Sequence, residues 1–384
     1  VSRTPVPRAV GMGTGTGTGT NAGGGAPGMT AAHPAASHPK VVRGTILRGH
    51  GDRLSVRVDP RSTVVCAALL LAIIGVGVAT MTTGDFPVPV GEVIDSLIGR
   101  GTPATDFIVT TLRLPRLLTG LLVGAALGVS GAIFQSLSGN PLGSPDIIGF
   151  TTGSATGAVV VILVMHGNAD ETSVGAVIGG VVTAVAVYAL SFRRGVAGVR
   201  LVLIGIGVSA MLVSVNSYLI TRAALADAVT AQIWLLGSLN RRSWEQFRPL
   251  GLAIAAALPV SLYHGRGLAF LEMGGDTAKA LGVRVERSRL VLIGAGAVLA
   301  ACATAAAGPV GFVALAAPPL ARGLTRSSAP ALLSTALAGA LLVASSDLAA
   351  QRLFAPTQLP VGVGTSAVGG LYLAVLLARR RSRG

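Results

Sequence analysis

Residues Leu290–Ala321 read LVLIGAGAVLAACATAAAGPVGFVALAAPPLA, 32 residues without one Asp, Glu, Lys or Arg. Drawn as a single straight helix this stretch would be roughly 48 Å long, well beyond a hydrocarbon core of about 30 Å. It contains its own break, Gly308-Pro309-Val310-Gly311, because proline cannot donate to the helix ladder and its ring clashes with the preceding turn. The stretch therefore predicts two membrane-crossing segments, the second short and borrowing Arg322 and residues beyond.

Eight further stretches of 17 or more residues are free of charge: Ser62–Gly84, Leu117–Pro145, Ile147–Ala169, Thr172–Phe192, Leu201–Thr221, Pro249–Gly265, Ser327–Ser346 and Leu353–Ala378. With the long stretch split, the expectation is an all-α integral membrane protein with about ten transmembrane helices over residues 61–384. An even number is also what the ends require. Arg53, Arg57 and Arg61 precede the first stretch, and Arg379, Arg380, Arg381 and Arg383 follow the last; basic flanks stay cytoplasmic. With both termini inside, the cytoplasmic segments carry 20 Lys/Arg and the exterior ones 8, the weakest point being exterior 222–248 with Arg222, Arg241, Arg242 and Arg248.

Composition agrees. Hydrophobic residues make up 51% and charged residues 12% of the 384, and mean hydropathy is +0.70. That is too little charge to coat soluble domains. The 53 glycines suit closely packed membrane helices. A net charge of +15 raises nucleic-acid binding, but the arginines lie between apolar stretches rather than on a stripe with stacking aromatics. Cys66 and Cys302 both sit in apolar windows, which implies neither a disulfide framework nor a metal site. Residues 1–60 differ: the Gly/Thr tract Gly11–Gly28 cannot bury enough surface to offset its ordering entropy, so this segment is expected to be a disordered cytoplasmic tail. Met12 or Met29 is a candidate first residue.

The chain carries no recognisable motor. Its two lysines, Lys40 and Lys279, stand outside any Gly-Lys-Ser/Thr context, so no P-loop is present. Acids and bases that ion-coupled carriers place in their spans are missing from the windows apart from His166 and His264 near window ends, read as interfacial. No HExxH or Cys/His spacing offers a metal site, and no constellation of catalytic groups suggests an enzyme. What remains is a passive conduit driven by a partner. A stand-alone secondary carrier is the rival, discriminated by independence from ATP.

Several patterns together resemble the FecCD-type permeases of ABC importers for iron-siderophores, haem and vitamin B12. They are Arg113-Leu114-Pro115-Arg116 with Gly124-Ala125-Ala126-Leu127, Ser130-Gly131, Gln135 and Asn140-Pro141-Leu142; Trp234-Leu235-Leu236-Gly237-Ser238 with Trp244; Ala278 with Leu281-Gly282-Val283; Gly308 with Gly311-Phe312-Val313, Pro318 and Arg322; and Asp347 and Arg352 followed by Leu359-Pro360-Val361-Gly362. They cover about residues 62–380. The resemblance implies the vitamin-B12-permease-like fold of ten helices, two permease subunits (identical or paralogous) around a central path, two separate ABC ATPase subunits below, and an external lipoprotein or periplasmic binding protein above. It implies no cofactor and no chemistry in this chain. Thr111–Arg116 and Ser144–Phe150 look most like enterobactin-type permeases, with vitamin B12 or haem as alternative cargo.

The same resemblance makes the longest interior loop an ATPase-coupling loop, with Leu271, Glu272, Gly274, Gly275, Asp276, Ala278, Lys279, Leu281, Gly282 and Val283 as its residues. A short helix there can fit a partner's cleft and pass on rigid-body motion. Arg113 and Arg116 are expected either to anchor at headgroups or to meet an acidic binding protein or anionic ligand. Gln135 is expected to line the path or to hydrogen-bond across helices. Asp347 and Arg352 are expected to pair at the outer mouth, an exposed pair of little energetic weight. Asn140 and Pro141 are expected to shape a tight turn. The chain departs from the family pattern at Pro319 (histidine is common there), at Gly139 (often arginine) and over Gly323–Ser328, which lacks the usual acidic and basic pair.

Overall fold

The computed structural model describes residues 45–48, 55–192, 198–327, 330–353 and 358–381. In chain order its elements begin with strands β1 (Thr45–Arg48) and β2 (Ser55–Val58). Helices follow as α1 (Pro60–Thr82), α2 (Val90–Leu97), α3 (Pro103–Asp106), α4 (Leu114–Ser138), α5 (Pro145–Ile148), α6 (Phe150–Val160) and α7 (Ala169–Ser191). Next come α8 (Gly198–Arg222), α9 (Leu225–Leu235), α10 (Trp244–Tyr263), α11 (Gly265–Glu272) and α12 (Gly275–Ala280). The last four are α13 (Val285–Ala307), α14 (Val313–Thr325), α15 (Leu332–Arg352) and α16 (Val361–Arg381). Phe107–Arg113 joins α3 to α4, and Val161–Met165 extends α6, both with the wider i→i+5 turns of a π-helix.

Six helices among the described residues are long and apolar enough to cross a membrane: Pro60–Thr82, Pro103–Ser138, Ala169–Ser191, Gly198–Arg222, Val285–Ala307 and Leu332–Arg352. Phe150–Met165 is a shorter apolar helix. The long window breaks where its sequence predicts. α13 stops at Ala307, Gly308 turns at φ 75°, ψ −179°, and α14 starts after Phe312 at φ 66°. With 13 residues α14 is only about 20 Å long. Every other uncharged window also holds a helix, although α10, α14 and α16 fall outside the six.

The expected structureless tail is not uniformly so. β1 and β2 pair antiparallel, from Thr45 opposite Val58 to Arg48 opposite Ser55. Thr45, Ile46, Val56 and Val58 are β-branched and fit a pleated surface, a local signal that the tract's composition hid. The Gly/Thr tract, both candidate start methionines and Arg193, Arg194 and Arg383 lie outside the described residues.

α4 is the central helix. Lipid offers no hydrophobic drive between helices, so contact comes from close backbone approach at small residues. A Cβ on Gly124 would fall 2.2 Å from the Gly339 carbonyl oxygen of α15, and one on Gly131 would fall 1.9 Å from that of Ala314 in α14. α6 and α7 pack the same way through Gly157 and Gly175. The perimeter is apolar outward: Leu71 and Ile74 of α1 and Leu203, Ile206 and Met211 of α8 are exposed, the reverse of a soluble protein.

Candidate functional site

The start of α4 and the end of α15 are tied by a two-point ion pair. Arg116 donates through Nε to Asp347 Oδ2 at 3.0 Å and through Nη2 to Oδ1 at 2.8 Å. Gln351, one turn along α15, donates to Oδ2 at 2.8 Å. The side chains are only 14% and 5% exposed. This corrects the expectation that Asp347 pairs with Arg352. Five residues along a helix is about 140° around it, so Arg352 faces elsewhere while Asp347 turns inward. Both arginines of the Arg113–Arg116 stretch donate to groups of the chain itself. Arg113 donates to the backbone carbonyls of Met81 and Phe86, clamping the end of α1.

Arg113, Arg116 and Arg352 line one cavity of about 480 Å³ with Arg241 and Arg242, and among the described residues Asp85 is the sole carboxylate of its lining. Arg242 donates through Nε to the Ser238 carbonyl at 3.1 Å, and burial pulls its guanidinium below the usual range. The arginines that spoiled the charge count in 222–248 thus include two gathered into this cavity. Its excess of positive charge suits an anionic group.

A second cluster sits at the other end of α4. Pro318 and Pro319 of α14 have no N–H, which leaves the Ala314 and Leu315 carbonyls, four residues back, without their helical donors. Gln135 Nε2 supplies the replacement, donating to Leu315 at 3.1 Å and to Ala314 at 3.4 Å. It is 3% exposed, so of the two expectations for Gln135 the geometry fits the bond across helices rather than an open path wall. Arg322 donates to Gln135 Oε1 at 3.5 Å and to Glu272 Oε1 at 3.3 Å, and Ser136 donates to that same oxygen at 2.5 Å. The sequence placed Gln135 and Glu272 in separate roles and treated Arg322 only as part of a pattern. A charge interrupting a short apolar helix was the available signal.

Glu272 ends α11, and the chain turns at Met273 and Gly274, where φ is 107°. α12 follows, with Ala278 buried, Asp276 and Lys279 exposed at 3.6 Å from each other, and Leu281 exposed. Gly282 at φ 80° closes it, its N–H reaching Lys279 O and that of Val283 reaching Ala278 O. Leu271 is buried beneath. At the end of α4, Gly139 is the left-handed cap at φ 62°, a conformation glycine adopts without strain. Asn140 Oδ1 accepts from the Leu142 N–H at 2.9 Å, so Asn140 and Pro141 do build the turn.

A further cavity of about 550 Å³ is lined by Asp146, Thr151, Thr152, Asn216, Gln232 and Pro309, among others. Asp146, in α5 between spans, accepts from the Thr151 hydroxyl at 2.6 Å. Burial pushes its carboxyl up to about 6, partly offset by that bond. Among the described residues it is the only ionisable one in that lining. In the sequence it stands only within the Ser144–Phe150 stretch, with no role of its own. Its isolation between two long uncharged stretches is the signal that marks it.

The FecCD transport family model matches residues 69–379. The ferric enterobactin transport system permease protein FepG of Escherichia coli is 45% identical over 322 residues, 84% of this chain and 98% of that protein. The achromobactin transport system permease protein CbrC of Dickeya dadantii is 35% identical over 86% of this chain and 95% of that protein. Among solved structures, a metal-chelate type ABC transporter in an inward-facing conformation superposes with a TM-score of 0.75 at 27% identity, covering 83% of this chain and 99% of that one.

Proposed function

This chain belongs to the FecCD transport family, and on that premise we propose that it is the membrane-spanning permease subunit of a binding-protein-dependent ABC importer that carries a ferric siderophore across the cytoplasmic membrane. The observation that carries the cargo class is its likeness to the ferric enterobactin permease along nearly that protein's whole length. The chain does no chemistry. It alternates access, and separate ATPase subunits supply the work.

The ten-span arrangement with both ends cytoplasmic belongs to this proposal and draws support from contacts between helix ends. Arg116 opens α4 and Asp347 lies near the end of α15. Ser136 near the end of α4 meets Glu272 after α10, and Arg61 opening α1 donates to the Leu324 carbonyl near the end of α14. Asp170 opening α7, Glu245 opening α10 and Ala306 closing α13 line one cavity. Strict alternation of ten spans puts each of these groupings on one side.

In this scheme α12 offers Asp276, Lys279 and Leu281 to an ATPase subunit at the inner face. The arginine cavity receives acidic side chains of an external siderophore-binding lipoprotein or periplasmic protein. The apolar face of α8, beside the Asp146 cavity, meets a second permease subunit, identical or paralogous, which completes the path. The test is uptake of radio-iron-labelled siderophores in a strain lacking this gene. Restoration of ferric enterobactin-type uptake by the wild-type chain is expected, and undiminished uptake in the deletion strain would overturn the proposal.

A further inference from the structure

α12 touches the body of the protein through few residues, so motion imposed on it needs a path inward. The polar circuit at the inner end of α4 has the right connections. Gln135 substitutes for the two donors that Pro318 and Pro319 remove, which binds α4 to α14. One turn earlier, Gly131 meets the Ala314 backbone so closely that the two helices form one body at that level. Arg322 of α14 then holds Gln135 and Glu272 together, and Ser136 holds Glu272 from α4. Glu272 is the last residue of α11, two residues before Gly274 turns the chain into α12. The charges oppose each other, and the Glu272 and Arg322 side chains are 21% and 29% exposed.

We propose that Ser136, Glu272, Arg322 and Gln135 form a latch that fastens the α11–α12 pair to the α4–α14 body, so that displacement of α12 moves those helices instead of bending the Met273–Gly274 turn. The proposal rests on α12 being the ATPase contact. These are positioning residues: none touches the cargo or nucleotide. The latch stays closed through the cycle, since its work is to keep two bodies moving as one.

The test uses the complete reconstituted transporter, with ATPase, binding protein and both permease subunits. Glu272→Gln and Arg322→Gln each lower the substrate moved per ATP hydrolysed, by about tenfold, within the usual range of coupling energies. In a Cys66→Ser, Cys302→Ser background, Glu272→Cys shows the same loss. Adding Ser136→Cys and joining the two thiols with a one-carbon bis-methanethiosulfonate restores the ratio to within about twofold of wild type, and a reductant abolishes the rescue. An unchanged ratio in both glutamine variants, or a joined pair that stays uncoupled, overturns the latch. Lys279→Glu separates this from the premise. Retained ATPase co-purification and coupling in that variant refute the α12 contact itself. Loss there together with a normal ratio in both Glu272→Gln and Arg322→Gln refutes only the latch.

Discussion

Replacing Asp347 by alanine leaves the Arg116 guanidinium at the junction of α4 and α15 without its carboxylate. An exposed ion pair would contribute only about 0.2–1 kcal/mol. This one is not exposed: the side chains are 14% and 5% accessible, and the pair is bidentate at 2.8 and 3.0 Å with Gln351 as a third partner. Breaking a buried pair costs about 3–5 kcal/mol, because one charge stays desolvated and unpaired. Arg116 also lines the arginine cavity, through which water reaches part of it, so the lower figure, about 3 kcal/mol, applies. Removing the carboxylate further raises the positive potential shared with Arg113, Arg241, Arg242 and Arg352. For a chain of this size the thermal midpoint should fall by roughly 5 °C. It can be followed in nanodiscs by the emission of Trp234 and Trp244. The double variant Arg116→Met, Asp347→Leu should recover to within about 1 kcal/mol of wild type, since apolar replacements carry no desolvation cost. A midpoint unmoved in Asp347→Ala would refute the reasoning and return the pair to the class of screened surface bridges.

Gly131→Ala places a methyl 1.9 Å from the Ala314 oxygen, so α14 must withdraw by about 1.5 Å at a cost of about 1–3 kcal/mol; Gly207→Ala, with nothing within 4 Å, should leave the midpoint unchanged or raise it slightly. Gly282→Val is strained only by its backbone, at φ 80° in open space, so membrane insertion should persist while co-purification of the ATPase is lost. Asp146, raised from 3.8 to about 6, contributes stability that is fully present below about pH 4 and is lost as pH rises through 6, a change of about 3 kcal/mol. Asp146→Asn should abolish that part of the decline in midpoint between pH 4 and pH 7.5, and identical pH profiles for variant and wild type would contradict it.

The membrane helices were legible because lipid demands long uncharged runs, and the Gly308–Gly311 break was legible because two glycines and a proline fall together inside a run too long for one crossing, whereas Pro318 and Pro319 stand inside α14 without ending it. The strands β1 and β2 were not, since four-residue strands leave little periodicity beside a glycine tract. The site was legible by residue but not by partnership. Arg116, Asp347, Gln135 and Glu272 were all singled out, yet their partners lie 231, 180 and 136 positions away. Only the packing of α4 against α11, α14 and α15 decides those distances. Gln135 shows the limit well: its role depends on two prolines in another helix whose missing donors are visible in the sequence, though the residue that replaces them is not.

The most direct test of the central claim is uptake of radio-iron-labelled ferric enterobactin into proteoliposomes containing this chain with and without its ATPase subunits. Accumulation should require both the ATPase and ATP, with no nucleotide hydrolysis by the purified chain alone. Transport by the chain alone down a gradient, or hydrolysis by it in isolation, would contradict the account.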